Sequence, residues 1–474
     1  MYSSPHIDNS ILNKISNKFT SKYFEIPSSN IESTLTKITN YFENNGYTFS
    51  TCQLKNITLN KNKLLATLKL SVSKKRNIDN IVIKGYDQFP KKFLNHYLNI
   101  KRNKSFNLDL IKRVNSQLKT IPFILQIKEP EILFTKDSTT LYLYLKKQNK
   151  NNFNGIIGFS NKKGSSKLQL NGNLNLNLNN TLNKGESLFF RWRNNGNNSQ
   201  MLNLKLSTPF LFNTPISGSS NFSILKQDSI YSTTSLELSL KYKFKENNFL
   251  GFTLNGENSN SFLTNRPTNN FKSYTNTFYG IHYSHNFSSS YFKSHESKFS
   301  FNFKAETGNR TTQSSKTTQH KLHLSSNYSI HLNSKSSLFI KNTNKLLITK
   351  APLQNELFRI GGANSIRGFE EQSIFSSQYS IINIEYRYKL NQQAHLHTIT
   401  DFALTKGILN STTNKLYAIG IGYLSTIKNN SIHISYCIGN ETTETFSLNN
   451  SKIIIKFSRF FWKFHNKNTQ LLIM

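Results

Sequence analysis

The sequence predicts a mainly β protein, in which one or two small α/β modules precede a transmembrane antiparallel β-barrel of about sixteen strands. Three observations support this prediction. From about residue 150 onward, apolar and polar residues alternate along many segments, which is the period of a β-strand. No stretch approaches the run of roughly 18 apolar residues that a membrane helix requires. Before residue 150, helical and strand patterns alternate instead.

The composition narrows the classes of protein to be considered. The chain has 474 residues with 37 Phe and 21 Tyr, and aromatic residues favour strands. A formal net charge of +36 is typical of nucleic-acid binders, so a soluble basic binder is one alternative. Lysine is nevertheless spread along the whole chain, whereas a nucleic-acid footprint gathers on one face. We therefore expect a lipid bilayer as partner and no nucleic acid.

The first 148 residues predict two related modules. Residues 74–148 have the order β-α-α-β-β, with Asn107 as the N-cap of the second helix. The first module is predicted over residues 1–73, of which residues 31–73 look like the last three elements of the same unit. Apolar residues recur at helical spacing from Ile31 to Phe42, and strands are predicted over 47–54 and 64–72. The first module is therefore partial or degenerate and carries an N-terminal extension. An ordinary α+β domain is the alternative.

Residues 149–462 predict the barrel, and residues 463–474 form a tail. In one strand Ile382 and Ile384 face one way while Asn383, Glu385 and Arg387 face the other. An even strand count is typical of single-chain outer-membrane barrels, and closing the sheet pairs every backbone group, as lipid requires. A soluble β-sandwich is the alternative, but the strands are long and their second face is polar.

One stretch between the eleventh and twelfth predicted strands, 337–348 and 378–389, is unusual. It reads ELFRIGGANSIRGFEEQSIF over residues 356–375 and contains Gly361-Gly362 followed by Arg367-Gly368-Phe369. Its glycines suit a loop that turns sharply and approaches another backbone closely.

Glu385 and Asp401 lie on the predicted lumen face of the next two strands. A guanidinium inside a narrow lumen needs a carboxylate, which arginine can bind through two nitrogens. These two acids are therefore the candidate partners for an arginine that enters the lumen. The alternative is a surface arginine in a flexible loop.

Tandem β-α-α-β-β modules, sixteen strands and the Arg367-Gly368-Phe369 triplet in this position resemble the BamA/TamA superfamily, whose modules are called POTRA domains. The resemblance covers about residues 31–461. It implies that the triplet belongs to a long sixth extracellular loop that folds back into the lumen, where acids of the next two strands hold the arginine. Ala403 stands where the family usually has the glycine of an Asp-x-Gly motif.

The resemblance also implies a weak seam between the first and last barrel strands, over 153–161 and 452–461. Glycines weaken strand pairing, and a client strand can pair with an opened edge. The seam residues that we predict are Phe153, Gly155, Gly158, Ile453, Ile455 and Phe457.

The resulting hypothesis is an insertase of the bacterial outer membrane that folds client β-barrel proteins through this seam. Periplasmic POTRA domains would receive the unfolded clients, and accessory lipoproteins are possible partners. The runner-up is a polypeptide translocase of the two-partner-secretion type. Such proteins usually plug the pore with an N-terminal helix, for which the segment 11–19 is the candidate here. A passive porin is a third hypothesis, which leaves the modules and Arg367 unexplained.

The sequence contains no nucleophile–base arrangement, phosphate loop or cofactor motif, so we expect neither an enzyme nor a cofactor. His395 and His397 share a strand face but lack a third nearby ligand, and we interpret them as lumen polar residues, not as a metal site. Cys52 and Cys437 are predicted to be free thiols. The N-terminus has no apolar signal core, which suggests an upstream start or a mature or truncated chain.

Overall fold

The structure is a computed structural model that describes residues 9–16, 18–20, 23–60, 63–148, 151–161, 168–194, 199–245, 247–263, 270–287, 299–407, 413–427, 430–443, 445 and 447–461. The predicted tail 463–474 lies outside these residues. The chain divides into two compact units, Met1–Lys147 and Gln148–Met474. Within the described residues, no helix is both long and apolar enough to cross a membrane.

The first half of the N-terminal unit contains two helices and two hairpins. Its elements are α1 (Asn9–Ile15), β1 (Lys18–Phe19), β2 (Phe24–Glu25), α2 (Ile31–Asn44), β3 (Thr51–Asn60) and β4 (Lys63–Ser71). The predicted strand 47–54 begins only at Thr51. The reason is that Gly46, with φ of 93°, ends α2 and the following Tyr47 ring packs edge-on against Phe42 with centroids 6.1 Å apart.

The N-terminal extension is part of this module's hydrophobic core. Ile11 and Leu12 of α1 are buried with Phe24, Ile38 and Phe42. Helix α1 therefore closes the apolar face of α2, which a single short helix could not bury alone.

The second half of the unit contains the five predicted elements, together with two strands of two residues that were not predicted. Its elements are β5 (Asn77–Ile78), β6 (Asn80–Lys84), α3 (Lys91–His96), β7 (Lys104–Ser105), α4 (Leu108–Leu118), β8 (Ile124–Phe134) and β9 (Thr139–Lys147). The five predicted elements are β6, α3, α4, β8 and β9, in that order, and the two strands that were not predicted are β5 and β7. Strand β9 lies between β6, to which it is parallel, and β8, to which it is antiparallel. Asn107 caps α4, because its Oδ1 accepts a hydrogen bond from the Leu110 backbone N–H at 2.6 Å.

Sixteen strands of the second unit form a closed antiparallel barrel, as the sequence predicts. They are β10 (Asn151–Asn161), β11 (Leu168–Asn179), β12 (Ser187–Asn194), β13 (Gln200–Thr208), β14 (Ile216–Gln227), β15 (Tyr231–Lys245), β16 (Asn248–Ser261), β17 (Tyr274–Phe287), β18 (Phe299–Thr311), β19 (Lys316–His331), β20 (Ser336–Ile348), β23 (Gln378–Lys389), β24 (Ala394–Lys406), β25 (Asn414–Ile427), β26 (Asn430–Glu441) and β27 (Ser451–Phe461). Strands β20 and β23 are the predicted eleventh and twelfth. The connection between them carries a short hairpin that the sequence did not predict, β21 (Phe358–Ile360) paired with β22 (Ile374–Ser376).

The two faces of the barrel wall differ as the alternation predicts. Outward side chains are apolar and open, for example Ile421, Ile453 and Ile455, which are 65%, 69% and 69% exposed. Leaving such area in water costs about 25 cal/mol per Å², so a continuous band of it requires lipid. The inner face is polar: Asn175 donates a hydrogen bond to the Asn154 Oδ1 at 2.6 Å across β10 and β11.

Both cysteines are free, as predicted. Cys52 lies half-buried in β3, and burial raises the pKa of its thiol to about 11. It is therefore protonated at neutral pH and a poor nucleophile. Cys437 is buried in the wall of the barrel.

Candidate functional site

The site is built by the connection between β20 and β23, which we call the lumen loop and define as residues 349–377. Its hairpin ends at two glycines in the left-handed region, Gly361 with φ of 111° and Gly362 with φ of 90°. A side chain at either position would be strained. The Ser365 hydroxyl oxygen accepts a hydrogen bond from the Gly361 N–H at 2.7 Å, which turns the chain towards Arg367.

The structure brings Arg367 together with both predicted acids. Asp401 Oδ2 accepts hydrogen bonds from the Arg367 backbone N–H at 2.9 Å and from Nε at 2.8 Å, while Oδ1 accepts from a terminal guanidinium nitrogen at 2.5 Å. The other terminal nitrogen donates to Glu385 Oε1 at 2.5 Å. Arg367 is 7% exposed and Asp401 is fully buried. This is a desolvated, charge-assisted arrangement in which one carboxylate holds both the backbone and the side chain of the loop.

Charge is balanced around this ion group. The second oxygen of Glu385 accepts hydrogen bonds from Arg387 at 2.9 and 2.8 Å. Two guanidinium groups therefore face two carboxylates, and each partner compensates the desolvation of the other. Removing one member leaves the opposite charge buried without compensation.

The rest of the triplet lies on a surface of small residues. Gly368 has φ of 87°, and a Cβ there would lie 2.5 Å from the Gly439 backbone nitrogen of β26. A Cβ on Gly439 would in turn lie 2.7 Å from the Phe369 ring. The loop tip can reach the wall only because glycines occupy both sides of this contact.

Ala403 packs in a hydrophobic cluster with the loop. The cluster contains Ile360 and Ile366 of the loop together with Tyr379, Ile381, Ala403, Leu416 and Ala418 of the wall. The methyl group of Ala403 is thus accommodated beside the ion group, and Asp401 keeps its contacts with Arg367.

A second buried arginine, which sequence analysis missed, anchors the start of the lumen loop. Arg310 of β18 donates to Glu356 Oε1 at 2.7 Å, and the two side chains are 3% and 1% exposed. Glu356 also accepts hydrogen bonds from Gln319 at 2.9 Å and from the Leu353 N–H at 2.8 Å. One indication of this anchor is visible in the sequence, which is that the unusual stretch 356–375 begins with an acid, Glu356. The loop is therefore fixed at one end to β18 and β19 and at the other to β23 and β24.

The loop also reaches the last strand. Glu370, which follows the triplet, forms an ion pair with Lys452 of β27. Since Gly368 touches β26, the loop tip contacts β23, β24, β26 and β27 together.

The predicted seam between β10 and β27 is narrow. Each strand has 11 residues, but three residue pairs join them: Asn151–Phe461, Asn152–Phe460 and Phe153–Arg459. One further contact is a hydrogen bond of 3.3 Å from Asn154 to the Ser458 hydroxyl. By contrast, nine residue pairs join β26 to β27 and fourteen join β15 to β16.

The six predicted seam residues divide into two groups. Phe153 belongs to the ladder between β10 and β27. The other five are outside that ladder and pair on their opposite side, either with β11 or with β26; they are Gly155, Gly158, Ile453, Ile455 and Phe457.

In the structure, a third histidine, His433, lies next to the predicted pair His395 and His397. His397 Nε2 lies 3.3 Å from His433 Nε2, and the His395 ring is 5.6 Å from that of His397. Gly422 leaves room for the His397 ring, which a Cβ would approach to 2.3 Å. The described part of the chain contains no group of three or more His, Cys, Asp or Glu placed to hold a metal ion.

Comparison with known proteins identifies the fold. No protein-family model matches the sequence, and a search of curated proteins finds no similar sequence. Among solved structures, BamA from Haemophilus ducreyi lacking POTRA domains 1-3 is similar with a TM-score of 0.52 at 14% identity, over 96% of this chain and 97% of that chain. The fold is that of the BamA barrel.

Two CdiB structures are also similar to this chain over most of its length. CdiB from Acinetobacter baumannii has a TM-score of 0.59 at 15% identity, over 95% of this chain and 85% of its own. CdiB from Escherichia coli has a TM-score of 0.60 at 13% identity, over 97% and 89%. The resemblance seen in the sequence is therefore confirmed at the level of the fold: a closed barrel of sixteen antiparallel strands.

Proposed function

We propose that this chain is an insertase of the bacterial outer membrane, which opens between β10 and β27 and folds client β-barrel proteins at the exposed edges. The observation that carries the proposal is the seam, where three residue pairs join two strands of 11 residues. Opening it breaks fewer backbone hydrogen bonds than opening the neighbouring β26–β27 ladder, which has nine residue pairs.

An opened seam would attract a client strand for a physical reason. Each backbone group left without a partner in hydrocarbon costs several kcal/mol. An incoming strand pairs with those groups by β-augmentation and removes the cost. Successive strands can then extend the new sheet from the edge of β27.

The lumen loop supports the wall beside the seam. Its tip contacts β23, β24, β26 and β27 through Arg367, Gly368 and Glu370. These contacts keep the C-terminal strands together while β27 loses its partner on the other side. The role that we propose for Arg367, Glu385 and Asp401 is therefore bracing, and we propose no catalytic residue, cofactor or metal.

The N-terminal unit would act as periplasmic POTRA domains that receive unfolded clients. Strand β8 is an edge of its sheet and exposes Leu125, Ile127 and Leu133. An open edge with apolar side chains suits the capture of an extended chain. The comparison with BamA covers 96% of this chain and so extends over most of this unit, which supports the proposal.

The translocase remains the second candidate, because two small modules before a barrel suit a two-partner-secretion protein. One observation counts against it. The candidate plug helix, α1, buries Ile11 and Leu12 in the core of the first module, so its apolar face is already in use.

Locking the seam with a disulfide tests the proposal. The variant is F153C/R459C in a C52S/C437A background, and the control is Y436C/I453C, which joins β26 to β27 by an equally opposed pair. The protein is placed in liposomes with a urea-unfolded barrel client, whose folding is followed by gel shift. We expect oxidation to stop the acceleration of client folding in the seam variant, dithiothreitol to restore it, and the control to stay active.

Equal activity of the oxidised and reduced seam variant would contradict the insertase. The same liposomes can then be given an unfolded soluble passenger. Its appearance inside the vesicles, protected from added protease, would establish the translocase.

A further inference from the structure

A cavity of about 710 Å³ lies inside the barrel, between the wall and the start of the lumen loop. Its wall comes from β13 to β20, and its other side is formed by loop residues that include Phe358 and Arg359. It is separate from the ion group around Arg367 and from the seam. Neither the insertase nor the translocase hypothesis assigns it a role.

The side chains that line the cavity carry an excess of positive charge. Five lysines and one arginine line it: Lys205, Lys241, Lys304, Lys321, Lys345 and Arg359. Four carboxylates line it: Glu237, Glu257, Glu306 and Glu356. Arg310 of β18 pairs with Glu356. Seven cationic groups therefore face four carboxylates, and three positive charges are left over.

The carboxylates are concentrated on two of the lysines. Lys304 lies 2.5 Å from Glu237 and 2.8 Å from Glu306, and Lys321 lies 2.7 Å from Glu257. Glu237, Glu257 and Glu306 are therefore already paired with Lys304 or Lys321.

The other cations meet neutral groups. Among the described residues, no carboxylate oxygen comes within 4.0 Å of the ammonium groups of Lys205, Lys241 or Lys345. Arg359 donates to Gln227 Oε1 at 2.8 Å and to the Gln372 backbone carbonyl at 3.0 and 2.8 Å, both of them uncharged. Lys241, Lys345 and Arg359 are partly buried, and Lys205 is exposed. A partly buried cation without a counter-charge favours an anion, because burial strengthens the attraction.

Neutral polar groups add hydrogen-bonding capacity to the same cavity. The side-chain oxygens of Ser239, Thr253 and Asn255 are buried, line the cavity and have no hydrogen-bond partner among the described atoms. All three belong to residues of the cavity wall, so the wall is polar as well as cationic. Buried polar atoms ordinarily find a partner.

We propose that this cavity binds a multivalent oxyanion, whose phosphate or carboxylate groups lie between Lys205, Lys241 and Lys345. Ammonium groups act as strongly hydrated point charges and tolerate several oxyanion geometries, so charge and size determine the ligand class more than shape does. The source is either a small phosphate compound or a carboxylate-rich peptide segment. The proposal holds whether clients are inserted or translocated.

The test uses the full chain in detergent micelles and inorganic pyrophosphate as probe, titrated by calorimetry in about 0.15 M KCl, where exposed charges are screened beyond about 8 Å. The variant is K241Q/K345Q. The control, K91Q/K112Q, removes the same charge from exposed helical positions of the N-terminal unit. We expect saturable binding with one site, weakened at least about tenfold in K241Q/K345Q and unchanged in the control.

Equal affinity in all three proteins, or no saturable binding to the wild type, would overturn the proposal. Heat-dependent gel mobility shows whether K241Q/K345Q is folded; if it is not, K205Q replaces it and must weaken binding for the proposal to stand. A second titration with hexa-aspartate distinguishes the sources. Tighter binding of the peptide identifies carboxylates as the ligand groups, and tighter binding of pyrophosphate identifies phosphates.

Discussion

The seam and the wall beside it are held together by different means. Between β10 and β27, three residue pairs and one side-chain hydrogen bond join two long strands. From β23 to β27, longer ladders are supplemented by a loop whose charged side chains and glycines touch four strands. The difference teaches that the barrel is reinforced immediately beside the ladder with the fewest residue pairs among its described strands. Breaking the loop contacts one at a time measures how much of that reinforcement each supplies.

Among these variants, Asp401→Ala should weaken the attachment of the lumen loop to the barrel wall the most. It removes the acceptor for the Arg367 backbone N–H and for two guanidinium nitrogens. Leaving one charge of a buried pair alone costs about 3–5 kcal/mol. We expect the loop to leave the wall, which limited trypsin digestion after Arg367 measures in the folded protein. Glu385→Ala is the comparison and should cost less, because Arg367 keeps Asp401; equal cleavage of the two variants would contradict this order.

Glu356→Gln should come next, because it tests the opposite end of the loop. The amide keeps the shape but loses the charge that faces Arg310 at 2.7 Å. Hydrogen bonds to charged groups contribute about 1.5–3 kcal/mol, so we expect a destabilisation of that size in urea unfolding. Gln354→Ala, a neighbour whose side chain makes no bond in the described structure, is the control. An unchanged unfolding midpoint for Glu356→Gln would show that this end is not an anchor.

Gly368→Ala should cost about 2 kcal/mol. An L-residue in the left-handed region loses about 1–2 kcal/mol, and the new methyl group would also meet Gly439 at 2.5 Å from its nitrogen. Gly407→Ala is the matched control, because a Cβ there has nothing within 4 Å. The free energy of unfolding of both variants checks the prediction, which fails if Gly368→Ala is as stable as Gly407→Ala.

Glu370→Ala should have the smallest effect, under about 1 kcal/mol, since its ion pair with Lys452 is solvent-exposed. The effect should also shrink in about 1 M salt, where screening is stronger. A double-mutant cycle with Lys452→Ala measures the pair. A coupling energy above about 2 kcal/mol would show that the contact with β27 is a main brace and not a minor one.

Much of the fold follows from the sequence because strand alternation is local. Each barrel strand shows its own period of two, and the position of Arg367 between the eleventh and twelfth strands follows from counting them. The partners Glu385 and Asp401 could be proposed because both lie on the lumen-facing side of the next two strands. In a closed barrel, only acids on that side can reach an arginine in the lumen.

Other features could not be predicted from the sequence, because they depend on contacts between residues far apart in the chain or on elements too short to show a pattern. Arg310 and Glu356 are 46 positions apart, and their pairing depends on which residues the closed barrel brings face to face. The need for glycine at position 439 is visible only in the folded chain, where the Phe369 ring packs against it. Strands β21 and β22 have three residues each, too few to show alternation. Helix α1 has seven residues, and helices this short form only when packed against a core.

The lumen loop has a consequence for the order in which the chain assembles. Arg367 precedes its partner Asp401 by 34 positions, and Glu370 precedes Lys452 by 82. The loop is therefore held by strands that lie far ahead of it in the chain, and its docking must wait until β24, β26 and β27 are in place. Closing such distant contacts is slow, because the intervening chain loses its freedom before the contacts form. A population of nearly closed barrels with an undocked loop is thus the expected last intermediate, and Asp401→Ala should make it accumulate.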